Sequence, residues 1–442
     1  MTWMGLLTFK GGVHPFEGKE LSMDKPVEEL KPGKELVYLL SQHIGAPAKA
    51  IVNKGDHVVV GQKIAEAGGF VSAPIYATVS GTVKSLEKRK NATGGYVDAI
   101  VVENDEQYES TTFVEADPES LSREEILDRI REAGVVGMGG AGFPTAVKLA
   151  PKDPSTVDHI LVNGSECEPY LTSDYRMMLE KPEMIVEGLK IMLKLFGDNC
   201  KGLICIENNK PKAIEIMKKA VEGVDRVSVA VVKTKYPEGA ERSLINAVTG
   251  RFVNSKMLPA DAGCVVDNVG TVMAVYDAVK NGKPLMYRVF TVTGDAVKDP
   301  RNFLVRIGTP YRELVEAAGG FTAEPEKIIS GGPMMGFALA DLDVPVTKTS
   351  GALTCFLKDE VSRVHETACI SCGRCLNVCP ARLMPTKLAE LAEAGDEEGF
   401  ESFDGLECVN CGSCSYTCPA KRPLAANINM MRQRVLANKR KK

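Results

Sequence analysis

The sequence CISCGRCLNVCP at residues 369–380 and the sequence CVNCGSCSYTCP at residues 408–419 have the same spacing. Each reads C-x2-C-x2-C-x3-C-P, so four cysteines and a proline recur in the same order. Disulfides do not account for this pattern, because cysteines three residues apart are poorly placed to bridge and the first residues lack the features of a secretory signal. The repeat therefore predicts one small domain with two similar ligand loops.

This spacing is the one with which bacterial ferredoxins hold [4Fe–4S] clusters. The first three cysteines of each loop ligate one cluster, and the fourth, which follows on the next helix, ligates the other. Structural zinc is the alternative, but zinc sites usually pair two C-x2-C knuckles. We therefore expect two [4Fe–4S] clusters, one held by Cys369, Cys372, Cys375 and Cys418, and the second held by Cys408, Cys411, Cys414 and Cys379.

The composition predicts a globular chain of several domains, with 442 residues, 44% of them hydrophobic and 25% charged. The net charge of -4 argues against a nucleic-acid partner. No apolar run approaches the length of a membrane span, so we expect a cytoplasmic protein. Residues 426–442 are basic and are predicted to be a solvated tail, with contact to anionic lipid or to an acidic membrane partner as the alternative.

A glycine-rich stretch, GMGGAGFPT at residues 137–145, leads into a predicted helix that carries Lys148. Its glycines let backbone amides approach an anion, and Pro144 at the first helical turn directs the helix N-terminus towards the loop, which favours a phosphate. The stretch contains G-x-G-x-x-G, but a helix rather than a strand precedes it, so a tight packing turn is the alternative.

A short strand at residues 159–162 is followed by NGSECEP at its carboxyl end, where α/β folds bind ligands. A solvated loop is the alternative there.

Four motifs occur in an order that resembles the FMN-bearing, NADH-oxidising subunit of respiratory complex I. They are GMGGAGFPTAVK, VNGSECEP, YPEGAERSL and VDNVGT, at residues 137–148, 162–169, 236–244 and 266–271. The resemblance to the RnfC family, the peripheral subunits of Rnf ion-translocating ferredoxin:NAD+ oxidoreductase complexes, is closer. It adds KGGVHP at residues 10–15, GGPMMG at residues 331–336 and the paired cysteine motifs, whereas the flavoprotein of complex I has one cluster after its flavin region.

The resemblance implies a multidomain α/β protein whose domains follow one another along the chain. An irregular N-terminal extension (1–43) precedes a barrel-sandwich hybrid (44–105) that is similar to biotinyl and lipoyl domains but lacks their modifiable lysine. We then expect a Rossmann-type FMN- and NADH-binding α/β domain like that of the complex I flavoprotein (120–285), an SLBB β-grasp domain (286–350), an α-helical dicluster ferredoxin-like domain (358–425) and the basic tail (426–442).

The resemblance also implies roles for individual residues. The glycine loop and Lys148 would hold the phosphate of non-covalent FMN and the nucleotide, through Gly137, Gly139, Gly140 and Gly142. The isoalloxazine and nicotinamide would be lined by Asn163, Glu166 and Glu168, and the phosphate site would be completed by Asn268 and Thr271. The expected catalytic pair is Glu168 and Glu241, which would position the nicotinamide without transferring protons.

The implied function is electron transfer between ferredoxin-derived clusters and NAD+/NADH through FMN, which converts between two-electron and one-electron steps. Other Rnf subunits would be direct partners, ferredoxin an indirect one, and membrane partners would translocate the ion. The chain itself would be peripheral, on the cytoplasmic face of the membrane. One alternative is a flavin and iron–sulfur corrinoid (cobalamin) reductase. Another is a non-catalytic relay or scaffold with a vestigial nucleotide pocket, which Ala240 and Ser165 favour because they replace complex I acids.

Overall fold

The first domain of the computed structural model, which describes residues 6–441, is a sandwich of two small sheets. One sheet has the order β2-β8-β7-β4 and the other the order β3-β5-β6. Leu36, Ile64 and Ile100 lie in the shared apolar core, as expected for a barrel-sandwich hybrid. The strands of this part of the chain are β1 (Val27–Leu30), β2 (Glu35–Leu39), β3 (Lys49–Ala50), β4 (His57–Val58), β5 (Lys63–Glu66), β6 (Ile75–Tyr76), β7 (Gly81–Lys90) and β8 (Tyr96–Asn104).

The second domain is built on a four-stranded parallel sheet with the order β11-β10-β9-β12 and helices on both faces. Its strands are β9 (His159–Gly164), β10 (Lys201–Glu207), β11 (Val227–Val232) and β12 (Cys264–Asn268). Its helices are α1 (Arg123–Glu132), α2 (Thr145–Lys148), α3 (Ser173–Glu180), α4 (Pro182–Leu193), α5 (Pro211–Ala220), α6 (Glu241–Thr249) and α7 (Val269–Lys280). Successive strands run from β9 in one direction and β12 lies on the other side of β9, so the strand order reverses between β9 and β12. Ligands of open α/β sheets bind at such a crevice.

The third domain is a β-grasp in which α8 (Tyr311–Ala317) packs on a mixed sheet. Its strands are β13 (Tyr287–Thr293), β14 (Arg301–Arg306), β15 (Lys327–Ser330), β16 (Phe337–Ala338) and β17 (Ala352–Phe356). Phe290, Tyr311 and Leu353 form part of its core. The sheet has the order β1-β14-β13-β17-β15-β16, so one edge strand comes from the start of the chain.

The predicted irregular extension, residues 1–43, is corrected by this topology. β1 pairs in parallel with β14 of the β-grasp, and β2 pairs with β8 of the sandwich. The glycine and proline signals extend to Pro32 and Gly33 and end before ELVYL at residues 35–39, which alternates into the sandwich core with Tyr38 fully buried. The first five residues of the predicted extension lie outside the described part of the chain.

The last domain is helical, and the predicted solvated tail is part of it. Its helices are α9 (Arg374–Val378), α10 (Pro385–Ala394), α11 (Glu397–Ser402), α12 (Ser413–Tyr416) and α13 (Leu424–Lys441). Helix α13 contains most of residues 426–442 and buries Ile428, Met431 and Val435 against α10 and α11. The hydrophobic residues spaced at helical intervals explain the correction; Lys442 lies outside the described residues. None of the helices within residues 6–441 combines the length and apolar character needed to cross a bilayer.

Two neighbouring methionines of α13 test this packing. Met431 is 2% exposed and Met430 is 62% exposed. We expect Met431→Ala to destabilise α13 by about 2–5 kcal/mol, because it empties a core position, and Met430→Ala to change stability by less than about 0.5 kcal/mol. Native-state hydrogen exchange of the α13 amides measures both. Equal protection in the two variants would show that the helix is not docked.

Candidate functional site

Two asparagines meet at the crevice where the strand order reverses. Asn163 on β9 and Asn268 on β12 are register partners at the carboxyl ends of their strands. The Asn163 amide donates to the Gly239 carbonyl over 2.8 Å, and the Asn268 amide donates to the Asp174 carboxylate over 2.6 Å. The Asn268 side-chain oxygen also accepts from the Gly270 amide and thereby caps α7. Both predicted residues therefore lie at one site and fix the loops around it.

The glycine loop lies over the first turn of α7. Its ends are closed by a bridge between Val136 and Pro144, and the Met138 amide donates to the Thr271 hydroxyl over 3.0 Å. Residues 139–141 at the tip are exposed, and a Cβ added at Gly140 would meet no atom within 4 Å. The tip amides therefore border open space near the positive end of α7, which fits a phosphate group such as that of FMN.

The helix after the loop differs from the prediction. Helix α2 has only four residues, and Pro144 precedes it rather than opening a long helix aimed at the loop. Lys148, at its last position, donates to the Val266 carbonyl over 2.7 Å and lies 3.3 Å from Asp267 and 3.8 Å from Glu241. Burial lowers the pKa of Lys148, but these two acids outweigh burial, so its pKa lies above the usual value. Lys148 thus stays charged at the rim of the crevice.

Glu241 and Glu168, the predicted catalytic pair, occupy different environments. Glu241 opens α6, beside Lys148, and its side chain is 42% exposed. One Glu168 carboxylate oxygen accepts from the amides of Met334 and Met335 over 2.6 and 3.1 Å. Glu168 therefore ties the crevice to the turn at residues 331–336 of the β-grasp, whereas Glu241 keeps a side chain that a ligand can reach.

Glu166 is buried and has structural partners. One of its carboxylate oxygens accepts from the Asp174 amide over 2.7 Å at the start of α3. Its other oxygen lies 3.8 Å from the ammonium group of Lys19. Burial raises the pKa of Glu166 to about 7, and Lys19 opposes that rise. Glu166 lies at the predicted site but acts on the loop and the helix that form the crevice.

Two site residues had no signal in the sequence. Lys19 comes from the N-terminal extension and donates to the main-chain carbonyls of Glu166, Glu168 and Leu171 over 2.6–3.0 Å. Arg288 comes from β13 of the β-grasp; it is buried and donates to Ser350 and, at 3.5 Å, to Met138 of the glycine loop. Each is a lone basic residue in an unremarkable stretch, so only the tertiary structure identifies it.

The first group of cysteines surrounds a cavity. Cys369, Cys372, Cys375 and Cys418 all line it, as the predicted crossing of the fourth ligand requires. Cys369 and Cys372 are exposed, whereas Cys375 is buried. We call these four residues the far group.

The second group lies against the rest of the protein. Burial raises the pKa of Cys414 to about 12, and the neighbouring thiols Cys411, Cys408 and Cys379 contribute to that pKa. We call these four cysteines the near group. A buried thiol such as that of Cys414 is stabilised as a thiolate when a positive centre binds it, which fits a ligand of an iron–sulfur cluster. Within residues 6–441, no three His, Cys, Asp or Glu groups converge tightly enough for a single metal ion.

Four family models match the chain in the order of its domains. They are the RnfC barrel sandwich hybrid domain (7–107), the Nuo51 FMN-binding domain (130–277), the SLBB domain (289–338) and the 4Fe-4S dicluster domain (368–421).

Relatives match almost the whole chain. A subunit of the proton-translocating ferredoxin:NAD(+) oxidoreductase complex of Clostridium ljungdahlii is 49% identical over 97% of this chain and 94% of its own length. A subunit of the Na(+)-translocating ferredoxin:NAD(+) oxidoreductase complex of Acetobacterium woodii is 43% identical over 98% of both chains. A subunit of the ion-translocating oxidoreductase complex of Rhodobacter capsulatus is 40% identical over 89% of this chain and 76% of its own length. The chain belongs to the RnfC family.

A more distant likeness concerns the fold alone. A chain of the NAD+-reducing [NiFe]-hydrogenase in the air-oxidized state superposes on this RnfC-family chain with a TM-score of 0.52 and 19% identity. The likeness covers 73% of this chain and 64% of the hydrogenase chain.

One further acid of the RnfC-family crevice has no obvious partner. Glu238 is fully buried next to Gly239, and within residues 6–441 neither of its carboxylate oxygens has a hydrogen-bond partner. Burial raises its pKa to about 8; Glu207 adds to the rise and Lys235 opposes it. The raised pKa favours the neutral form of Glu238, which lies in the loop that contacts Asn163.

The pH dependence of stability tests this assignment. Because the folded-state pKa is raised, the contribution of Glu238 to stability is complete below its unfolded pKa of about 4.3 and is lost as pH rises through about 8. The melting temperature of the wild-type holoprotein should therefore fall relative to that of Glu238→Gln between about pH 5 and pH 8. Glu215→Gln, which changes an exposed acid on α5, is the control. Parallel profiles for wild type and Glu238→Gln would contradict the assignment.

Proposed function

We propose that this chain is the subunit of an ion-translocating ferredoxin:NAD+ oxidoreductase complex that exchanges electrons with NAD+/NADH. The observation that carries the proposal is that the residues next to a cysteine group suited to a [4Fe–4S] cluster contact the flavin-type domain. Glu407 pairs with Arg242 of α6, and Val378 bonds to the N-terminal segment that also bonds to Tyr236. NADH formation balances as NAD+ plus two electrons and one proton. The electrons come from ferredoxin through partner subunits, and partners in the membrane translocate the ion.

FMN, when bound, converts between the hydride chemistry of nicotinamide and one-electron transfer by the clusters. The glycine loop and the first turn of α7 hold its phosphate, with Lys148 as the nearby cation. Asn163 and Asn268 border the crevice between β9 and β12. The backbone amides at the exposed tip of the glycine loop and the cap of α7 supply donors that need little rearrangement, which favours tight binding of an anion.

The two predicted acids take different parts in this function. Glu241 contacts the nicotinamide substrate, since it opens α6 at the rim and keeps an exposed side chain. Glu168 is a positioning residue, because its carboxylate holds the 331–336 turn against the crevice. Neither acid needs to transfer a proton for hydride transfer.

The contacts give the two cysteine groups an order. Val378, next to Cys379, bonds to the N-terminal segment, and Glu407, next to Cys408, pairs with Arg242 of α6 at 2.9 Å. The near group therefore adjoins the flavin crevice, whereas the far group has two exposed cysteines. The far group would hold the cluster that exchanges electrons with partner subunits, and the near group would hold the cluster that exchanges electrons with the crevice. The chain lies on the cytoplasmic side of the membrane complex as a peripheral subunit.

One cysteine from each group tests this order. Cys411→Ala and Cys372→Ala should each lose about half of the iron and keep the flavin, since each removes a ligand of one cluster. NADH should still reduce the near cluster of Cys372→Ala, but it should leave the far cluster of Cys411→Ala oxidised on the stopped-flow timescale. Electron paramagnetic resonance of anaerobic, freeze-quenched protein measures both.

Cys355→Ala, which changes a buried cysteine of the β-grasp, is the matched control and should retain both clusters. Rapid reduction of the far cluster in Cys411→Ala would contradict the order. Failure of NADH to reduce FMN-loaded wild-type protein would contradict the nicotinamide function and favour a relay role.

A further inference from the structure

The segment at residues 9–15, which we call the strap, lies between the near group and the flavin crevice. On one side the Gly12 amide donates to the Val378 carbonyl over 2.8 Å, and Val378 precedes the cluster ligand Cys379. On the other side Val13 and Tyr236 exchange two backbone hydrogen bonds of 2.8 Å each. The strap therefore joins two loops that belong to different domains.

The two glycines of the strap are required because neighbouring loops pack closely against its backbone on opposite sides. Gly11 has a φ of +88°, and a Cβ there would lie 2.9 Å from the carbonyl oxygens of both Val378 and Cys379. Gly12 has a φ of +85°, and a Cβ there would lie 2.8 Å from the Tyr236 carbonyl oxygen. Any other residue type would be strained at these angles and would separate the strap from one of the loops. The strap backbone therefore packs closely against the loop at Val378 and Cys379 on one side and against the loop at Tyr236 on the other.

A buried charge locks the strap in place. The Lys235 ammonium donates to the carbonyls of Phe9 and Gly11 and lies 3.9 Å from the centre of the Phe9 ring. Lys235 adjoins Tyr236 in the same loop, so one loop holds the strap both by its backbone and by a side chain. Charge-assisted bonds of this kind are about twice as strong as neutral ones.

The bonded route continues to the crevice. From Tyr236 the chain runs through Pro237 and Glu238 to Gly239, whose carbonyl accepts from the Asn163 side chain over 2.8 Å. Two hydrogen-bonded steps across the strap, the Gly239–Asn163 hydrogen bond and short covalent stretches thus connect Cys379 to Asn163.

We propose that the strap is the positioning element for electron transfer between the near cluster and the flavin crevice, with Gly11, Gly12 and Lys235 as its positioning residues. The inference rests on the proposed function, because it assumes that a cluster occupies the near group and that FMN occupies the crevice. The strap sets the distance between the near cluster and the flavin, and it supplies a continuous bonded route between them. The rate of electron transfer falls steeply as the distance grows or the bonded route is broken.

Gly11→Ala and Gly12→Ala test the proposal in anaerobically purified holoprotein. Both variants should retain wild-type iron and flavin contents and wild-type rates of flavin reduction by NADH. Reduction of the near cluster by the flavin should be slower by about tenfold to a hundredfold, as expected for a displacement of about 1 Å of a positioned pair. Stopped-flow absorbance separates the two steps. Gly94→Ala is the control, because Gly94 has a φ of +84° with no atom within 4 Å of an added Cβ.

A second measurement does not depend on turnover. Hydrogen exchange should accelerate at residues 378–383 and 235–239 in both strap variants and remain unchanged in Gly94→Ala. If an alanine variant does not accumulate with its cofactors, Lys235→Met provides the same test without a clash, and Lys235→Arg should restore part of the rate.

Wild-type rates from flavin to cluster in the strap variants would overturn the proposal, provided that NADH reduces the flavin. Absence of flavin reduction in the wild type would instead refute the proposed function. The two failures are therefore distinguishable.

Discussion

Three buried lysines hold the domains together by donating to main-chain carbonyl oxygens across domain boundaries. Lys19 bonds to the loop after β9, Lys235 bonds to the strap, and Lys348 bonds to Pro74 of the sandwich and to Gly134 before the glycine loop. Burial lowers the pKa of Lys348 to about 7 and lowers the pKa of the other two as well. A buried polar group that loses its hydrogen bonds is costly, so each lysine favours only the arrangement in which its carbonyl acceptors are in place. The relative positions of the domains thus depend on a few hydrogen bonds from buried lysines.

This constraint explains why the crevice draws on so many parts of the chain. The glycine loop is held by Thr271 from α7 and approached by Arg288 from the β-grasp, while Glu168 holds the 331–336 turn in return. Movement of any one domain would disturb the crevice, because its walls are shared. The proposed function requires a substrate, a cofactor and a cluster to be aligned. Because residues from several domains line the crevice, stable domain interfaces keep those residues in the positions that such alignment requires.

Local patterns in the sequence were informative where the structure itself is local. The cysteines that the spacing assigns to each group lie near one another in the structure. The predictions of an irregular extension and of a solvated tail were wrong, because β1, β2 and α13 are stabilised by partners that lie elsewhere in the chain. Lys19 illustrates the limit: its acceptor on Leu171 is 152 residues away, and nothing near Lys19 in the sequence indicates that bond. The role of Glu168 at the nicotinamide stays a prediction, and its bond to the β-grasp turn could not be predicted from a motif.

Two exposed surfaces of the protein lie in different domains. The exposed tip of the glycine loop belongs to the α/β domain, whereas the exposed cysteines of the far group belong to the helical domain. Under the proposed function, a nicotinamide nucleotide and a one-electron partner would therefore approach surfaces built from different elements. The near group is partly buried, and the residues next to two of its cysteines contact the strap and α6. Under the proposed function, two electrons cross one at a time for each hydride, so a centre that lies between two separate surfaces would allow the nucleotide to stay bound while they cross.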